Sequence, residues 1–306
     1  MKNKKIVWII ALLTIFISVA SCLQGSPIAN KGTAPLTIGL MPAVDAAPIF
    51  VALKNGYFDE LNLKVDVQVY TNAVDRQSAL QSGEIDGTIS DLISLINNVS
   101  NGFDIKATTT TDSSFPVIVR NGFDEASAKA IVGLMEVSVV NYLADEYLAP
   151  KYTLDKIYIN DIPARIEMLK SGQIDMAVLP EPMASQAELQ GLKKVVYENK
   201  DSYSLAMMAF TGKALNEKSD SILLFHKAYN KAVDFINGNE SFTRDTLIEK
   251  LNINPDTKDL IALPIYKHAQ VPDDAFVQKV IDWTSNTLGQ KIDLTYEQLI
   301  DTRFVQ

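Results

Sequence analysis

The chain has 306 residues, 47% of them hydrophobic and 21% charged, which is enough for one large or two modest globular domains with real cores. Its 28 Lys and Arg against 37 Asp and Glu give a formal charge of −9, which argues against a nucleic-acid groove binder and its basic stripe. Fourteen Gly and 12 Pro are too few for a collagen-like or linker protein, and a single Cys excludes a disulfide scaffold and a Cys-based zinc site.

Lys2, Lys4 and Lys5 precede an almost unbroken apolar run, Ile6 to Ile17, with small residues after it. That is the form of a secretory signal, and the run is shorter than the roughly 20 residues of a permanent membrane span. Ser18-Val19-Ala20-Ser21-Cys22 resembles a bacterial lipobox. The resemblance implies cleavage before Cys22, a diacylglycerol on its thiol and a palmitate-like chain on the new amino terminus. An ordinary signal peptide beside an incidental Cys is the other reading. Residues 1–21 are then the signal and 22–35, with Gly25, Ser26, Pro27, Gly32 and Pro35, a lipid-anchored tether. Loss of residues 1–21 removes three Lys and no acid, moving the formal charge from −9 to −12.

Beyond the tether, strands and helices alternate. Leu36–Leu40 is a short apolar strand, and Asp45 is placed to cap a helix that runs to Asn55 and stops at Gly56. Val65, Val67 and Val69 alternate in a half-buried strand over 63–70. A helix over 73–82, a strand over 85–89 and an Asp91-capped amphipathic helix follow. The second stretch repeats the order: strand 131–134, helix 138–147, strand 155–159, a helix capped by Asp161, and strand 174–179. This is a β-α-β series, so the class is α/β with a largely parallel sheet. From about residue 202 the chain is a strand over 204–210 and then helix-rich. Long amphipathic helices run through Ile222–Ile236 and Phe276–Leu288, in a tail expected to return and cover the first lobe.

An internal repeat organises the body. Arg76-Gln-Ser-Ala-Leu-Gln-Ser-Gly83-Glu-Ile-Asp86 matches Arg165-Ile-Glu-Met-Leu-Lys-Ser-Gly172-Gln-Ile-Asp175, with identical Arg–Gly and Gly–Asp spacings. Each copy reads as a helix, a left-handed Gly stop and an Asp at the edge of the next strand. Two equivalent α/β lobes follow: residues 34–118 with 205–306, and residues 119–204. The repeated arginines read as solvated helix faces.

Ile38-Gly39-Leu40-Met41-Pro42, the run Asp45 to Ala52 (DAAPIFVA) and Gly56-Tyr57-Phe58 resemble the opening of sulfonate-, nitrate- and taurine-type ABC-transporter substrate-binding proteins, relatives of the thiamine-pyrimidine-precursor binding proteins. Gly83-Glu84-Ile85-Asp86-Gly87, Leu179-Pro180-Glu181-Pro182 and Trp283 with Tyr296-Glu297-Gln298-Leu299 are similar to further stretches of that family. The resemblance implies a two-lobed type II periplasmic-binding-protein-like fold with a ligand cleft between the lobes and a helical carboxy-terminal part. It also implies an extracytoplasmic place, in the periplasm or at the cell surface, and a permease and ATPase on other chains.

In open α/β sheets ligands bind beyond the carboxyl ends of the strands, where helix amino termini offer free N–H groups. The loops expected there nominate Asp45, Ala46, Ser90, Asp91, Ser138, Asn160 and Glu181 as ligand contacts. Asp45, Asp91, Ser138 and Asp161 read equally as helix caps, and Glu181 as a hinge bond. No catalytic constellation accompanies them: His226 and His268 stand apart in the tail, and no Walker loop, nucleophile elbow or His-Glu-x-x-His occurs. The expectation is a non-enzymatic lipoprotein without metal or cofactor, delivering a small solute to an ABC importer; an enzyme or sensor-type module on the same fold is the alternative. Three carboxylates and no Arg or Lys in the expected loops favour an uncharged or cationic ligand, aminopyrimidine-like, over a simple anion.

Overall fold

The computed structural model describes residues 33–197 and 203–305; Cys22 and the signal lie outside them. In chain order the first lobe holds β1 (Leu36–Leu40), a 3-10 turn (Val44–Ala46), α1 (Ala47–Lys54), α2 (Tyr57–Glu60), β2 (Val65–Val69), α3 (Ala73–Ser82), β3 (Gly87–Asp91), α4 (Leu92–Ser100) and β4 (Ile105–Thr110). The second holds β5 (Val117–Val119), β6 (Lys129–Leu134), α5 (Val139–Tyr147), β7 (Thr153–Tyr158), α6 (Ile162–Lys170), β8 (Met176–Val178), α7 (Met183–Leu189) and β9 (Lys193–Val195). β10 (Ala206–Thr211) rejoins the first sheet, followed by α8 (Gly212–Glu217), α9 (Ser219–Ile236), α10 (Glu240–Leu251), α11 (Asp274–Leu288) and α12 (Tyr296–Leu299).

Two five-stranded sheets result, ordered β2-β1-β3-β10-β4 and β7-β6-β8-β5-β9. Neither is wholly parallel. β10 runs against both β3 and β4, and β5 against both β8 and β9. The reason is connectivity: each reversed strand is the one entered on crossing from the other lobe. The chain arrives at the end where its neighbours finish, and can only run back. The boundary expected between 118 and 119 falls inside β5, because Val117 already pairs with Val178 and Val195.

The repeat is structural in both copies. Gly83 and Gly172 terminate their helices at φ 79° and 76°, a conformation that glycine adopts without a Cβ clash. The strands after them start later than the apolar runs suggest. Ile85 and Ile174 still donate their N–H to helix carbonyls, Ala79 O and Met168 O, so each ladder opens only two residues on. Between lie Asp86 and Asp175, whose carboxylates accept the N–H of Thr37 and of Ile131, both at 2.8 Å.

The tail covers the first sheet on two sides. α9 packs on α1, burying Phe225 and Tyr229 beside Phe50, and α11 packs on α4, whose Leu92, Ile93, Leu95 and Ile96 are buried. α11 also reaches the second lobe: Trp283 lies 5.3 Å from the Tyr142 ring of α5 and donates to Asp145 at 3.2 Å. The helix expected to start under an Asp45 cap differs. Asp45 sits inside the 3-10 turn, and Ala46 takes the cap position of α1 with no side-chain bond.

Candidate functional site

The loops after β1, β2 and β3 of one lobe and after β6 and β8 of the other converge on one cavity of about 120 Å³. Its apolar wall comes from Met41, Ile89, Phe115, Met135 and Val139; its polar groups are Asp45, Arg76, Ser90, Asp91 and Ser94. A larger hollow of about 530 Å³ lies against the crossovers, near Asp112–Phe115 and Ala262–Ile265, and takes nothing from the turns after β1, β2 and β6.

The polar groups are not equally free. Asp91 caps α4, accepting from Ser94 N at 2.8 Å and Ser94 Oγ at 3.0 Å. The Val139 N–H, first in α5 of the opposite lobe, adds to the groups that favour its charge, although burial raises its carboxyl overall. Ser138 occupies the α5 cap position yet turns its hydroxyl to Met135 O, so the acid at that helix end comes from the other lobe. Ser94 Oγ lies 3.3 Å from Val137 O across the same gap.

Arg76 corrects the expectation of a solvated helix face and of a cleft without a cation. Only 8% of it is exposed, and its Nη1 donates to Ile89 O at 2.7 Å and its Nη2 to Ser90 Oγ at 3.2 Å. The sheet end closes over α3 here because Gly39 of β1 carries no side chain; a Cβ there would lie 2.4 Å from Ile85 Cδ1 and 3.5 Å from Arg76 Cγ. Burial lowers the Arg76 pKa, against the pull of Asp91 and Asp45.

Asp45 is the carboxylate left open. Burial pushes its pKa up to about 7, against Arg76 and the N–H groups of Ala46 and of Asp45 itself. Behind it Tyr266 donates its hydroxyl to Val44 O at 2.8 Å, fixing the turn.

Of the nominated contacts, Asp45, Ser90 and Asp91 line the cavity; Ala46, Ser138, Asn160 and Glu181 do not. Ala46 is buried at the start of α1, and Asn160 is exposed beyond β7. Glu181 is wholly buried because Lys194 faces it at 3.1 Å, while Ser185 N, Ser185 Oγ and Ala262 N donate to it. Its carbonyl takes Val44 N at 2.9 Å, so Glu181 ties the turn that carries Asp45 to the second lobe. Arg76, Ser94, Phe115 and Met135 were missed. Only Arg76 had a signal, its recurrence at the same spacing as Arg165.

Residues 29–133 match the NMT1-like family. A protein of Brachyspira hyodysenteriae named as an ABC transporter periplasmic binding protein is 22% identical over 287 residues, spanning 85% of this chain and 82% of that one. The chain resembles the ABC-transporter substrate-binding type. Among solved structures the chain resembles the zinc-bound ligand-binding component of an ABC-type import system from Staphylococcus aureus, with TM-score 0.75, 16% identity, and 88% and 97% of the two chains covered. It also resembles the aliphatic sulphonate binding protein SsuA of Escherichia coli, with TM-score 0.69, 14% identity, and 85% and 95% covered. At such identities the likeness is one of fold, and the fold of this chain is that of the periplasmic binding proteins.

Proposed function

We propose that this protein is a lipoprotein, anchored through an acylated Cys22 at the extracytoplasmic face, that captures a small organic solute between its lobes and delivers it to an ABC permease and its ATPase. The observation that carries the ligand class is the carboxylate of Asp45 in the cavity wall. Arg76 spends one N–H of each Nη on Ile89 O and Ser90 Oγ, which holds the guanidinium against β3, and it keeps its other N–H groups, the unpartnered Nε among them. Asp45, at the wall with no cation bonded to it among the described residues, is an acceptor for an N–H donor. The ligand is therefore uncharged or cationic, a compact molecule with an amine or amide such as an aminopyrimidine, rather than nitrate or a simple sulfonate.

Binding is favoured over catalysis on the same fold by where the histidines stand. His226 is buried in α9 against Ile222 O, its pKa lowered to about 4 by burial, and His268 pairs with Asp234 at 2.7 Å. Neither lines the cavity. Native mass spectrometry of the protein from its own cells, with a thermal-shift panel of anions, sulfonates, pyrimidines and amines, tests the reading. Stabilisation by amines or aminopyrimidines is expected, and stabilisation by nitrate or sulfonates alone overturns the ligand class.

A further inference from the structure

The cavity that holds Asp45 does not end at Arg76. Ala73, Arg76, Ser94 and Met135 are also walls of a second hollow, about 280 Å³, running outward between α3, α4 and the turn after β6. Its chemistry is different. The inner cavity is apolar around its acids, whereas Gln77 and Gln81 of α3 and Asn97 and Asn98 of α4 line the outer one.

Gln77 Nε2 donates to Asn98 Oδ1 at 2.7 Å, and Asn98 Nδ2 donates back to Gln77 Oε1 at 3.2 Å. This reciprocal pair fixes both amides and still leaves each a second N–H and a second lone pair. Such a surface matches hydroxyls and amides, which donate and accept alike. A carboxylate or phosphate only accepts and so matches half of that surface, where Arg76 at the inner end gives one N–H of each Nη to Ile89 O and Ser90 Oγ, and an ammonium group meets no carboxylate along it.

We infer that the ligand has two parts: a compact head whose N–H meets Asp45 in the inner cavity, and an uncharged, hydroxyl- or amide-bearing arm that lies along the amides between α3 and α4. This specification rests on the substrate-binding reading. The arm would leave past the exposed Gln81, so the end of the arm is the least constrained part of the ligand.

Isothermal titration of the detergent-solubilised full chain with three probes sharing one head tests it: benzylamine, para-aminomethylbenzamide and para-aminomethylbenzoate. The benzamide is expected to bind about three- to tenfold more tightly than benzylamine, the scale of one neutral hydrogen bond, and the benzoate more weakly than the benzamide. Gln77→Leu combined with Asn98→Leu is expected to bring benzamide and benzylamine to equal affinity, with benzylamine binding reporting that the variant is folded. Asp45→Asn weakens all three. Equal affinity of the wild type for benzylamine and the benzamide, a preference for the benzoate, or a benzamide advantage that survives the double substitution overturns the arm. Failure of all three probes overturns head and arm together. The transport reading fails separately, if native mass spectrometry finds no solute carried by the protein from its own cells.

Discussion

Arg76 and Arg165 hold equivalent places in the two lobes, each donating Nη1 to a strand carbonyl, Ile89 O at 2.7 Å and Val178 O at 3.3 Å. Above each lies a glycine with the same neighbours: a Cβ on Gly39 or Gly133 would come 2.4 or 2.5 Å from the terminal methyl of Ile85 or Ile174. Burial lowers the pKa of both arginines, Arg165 to about 10. Gly39→Ala and Gly133→Ala are therefore expected to destabilise by similar amounts, about 1–3 kcal/mol, the scale of one excess methyl in a packed core. Ile85→Val and Ile174→Val, which remove the opposing methyl, should each restore part of the loss in its own lobe only. Urea unfolding of the singles and doubles checks this; rescue across lobes, or by neither valine, would count against the equivalence.

Asp45 links stability to pH. Its carboxyl stands near 7 in the folded chain and near 3.9 when unfolded. Between those values the folded state keeps a proton that the unfolded state releases, so stability falls as pH rises through the window and levels off above it. Asp45→Asn removes this penalty. The variant should melt above the wild type at pH 8, by up to a few kcal/mol in free energy, and the margin should close by pH 4. Melts at pH 4, 6 and 8 decide it, and a margin independent of pH would be the contrary result.

The same carboxyl sets the pH dependence of binding. A cationic ligand favours ionised Asp45 and draws its pKa down, so binding near neutrality releases protons. Affinity for an amine such as benzylamine is expected to fall as pH drops below about 7 and to flatten above it. Calorimetry in buffers of different ionisation enthalpy measures the released proton; uptake of a proton instead would exclude Asp45 as the partner.

Glu181 and Lys194 form a buried pair that ties the lobes, since Lys194 also donates to Leu260 O and Glu181 accepts from Ala262 N. Lys194→Met leaves a buried carboxylate without its cation and should cost about 3–5 kcal/mol. Replacing both, Lys194→Met with Glu181→Gln, should cost less than Lys194→Met alone. Thermal unfolding compares the two, and a double variant less stable than the single would refute the pairing argument.

Cys22→Ser is expected to move the protein from the membrane fraction to the soluble fraction of its own cells, because acyl chains supply the attachment at about 0.8 kcal/mol per buried methylene. Fractionation followed by immunoblotting reads the outcome. Persistent membrane association would remove the anchor from the proposed function.

Elements set by local chemistry were legible before the fold. β1 and α3 fall at the expected residues, and Asp91 and Asp161 cap the helices assigned to them, through Ser94 N and Ala164 N at 2.8 Å each. Period, cap and Gly stop act within a few residues, so a single chain displays them. β4 (IKATTT) and α10 were not legible. The first lacks a clean alternation, and the second buries only Thr243, Thr246 and Leu247 of its twelve residues.

The candidate site was legible only in part, and the reason is the same for each miss. That Asp45 and Asp91 lie at strand ends follows from the β-α order. Asp91 is engaged by Ser94 of its own helix, with Val139 of the other lobe adding to it, whereas Asp45 stays open because a 3-10 turn takes the place of its expected cap. Glu181 and Lys194 are thirteen positions apart, and only the pairing of β5 with β8 and β9 brings them together.

The sequence by itself determined the α/β class and the duplicated Arg–Gly–Asp unit, because each rests on the period, size or charge of neighbouring residues. Tertiary structure alone decided the reversal of β5 and β10, the burial of Arg76 and the open carboxylate of Asp45. Those depend on which surfaces meet, and a side chain's solvation, and hence its charge and its free hydrogen bonds, is set by the partner that covers it.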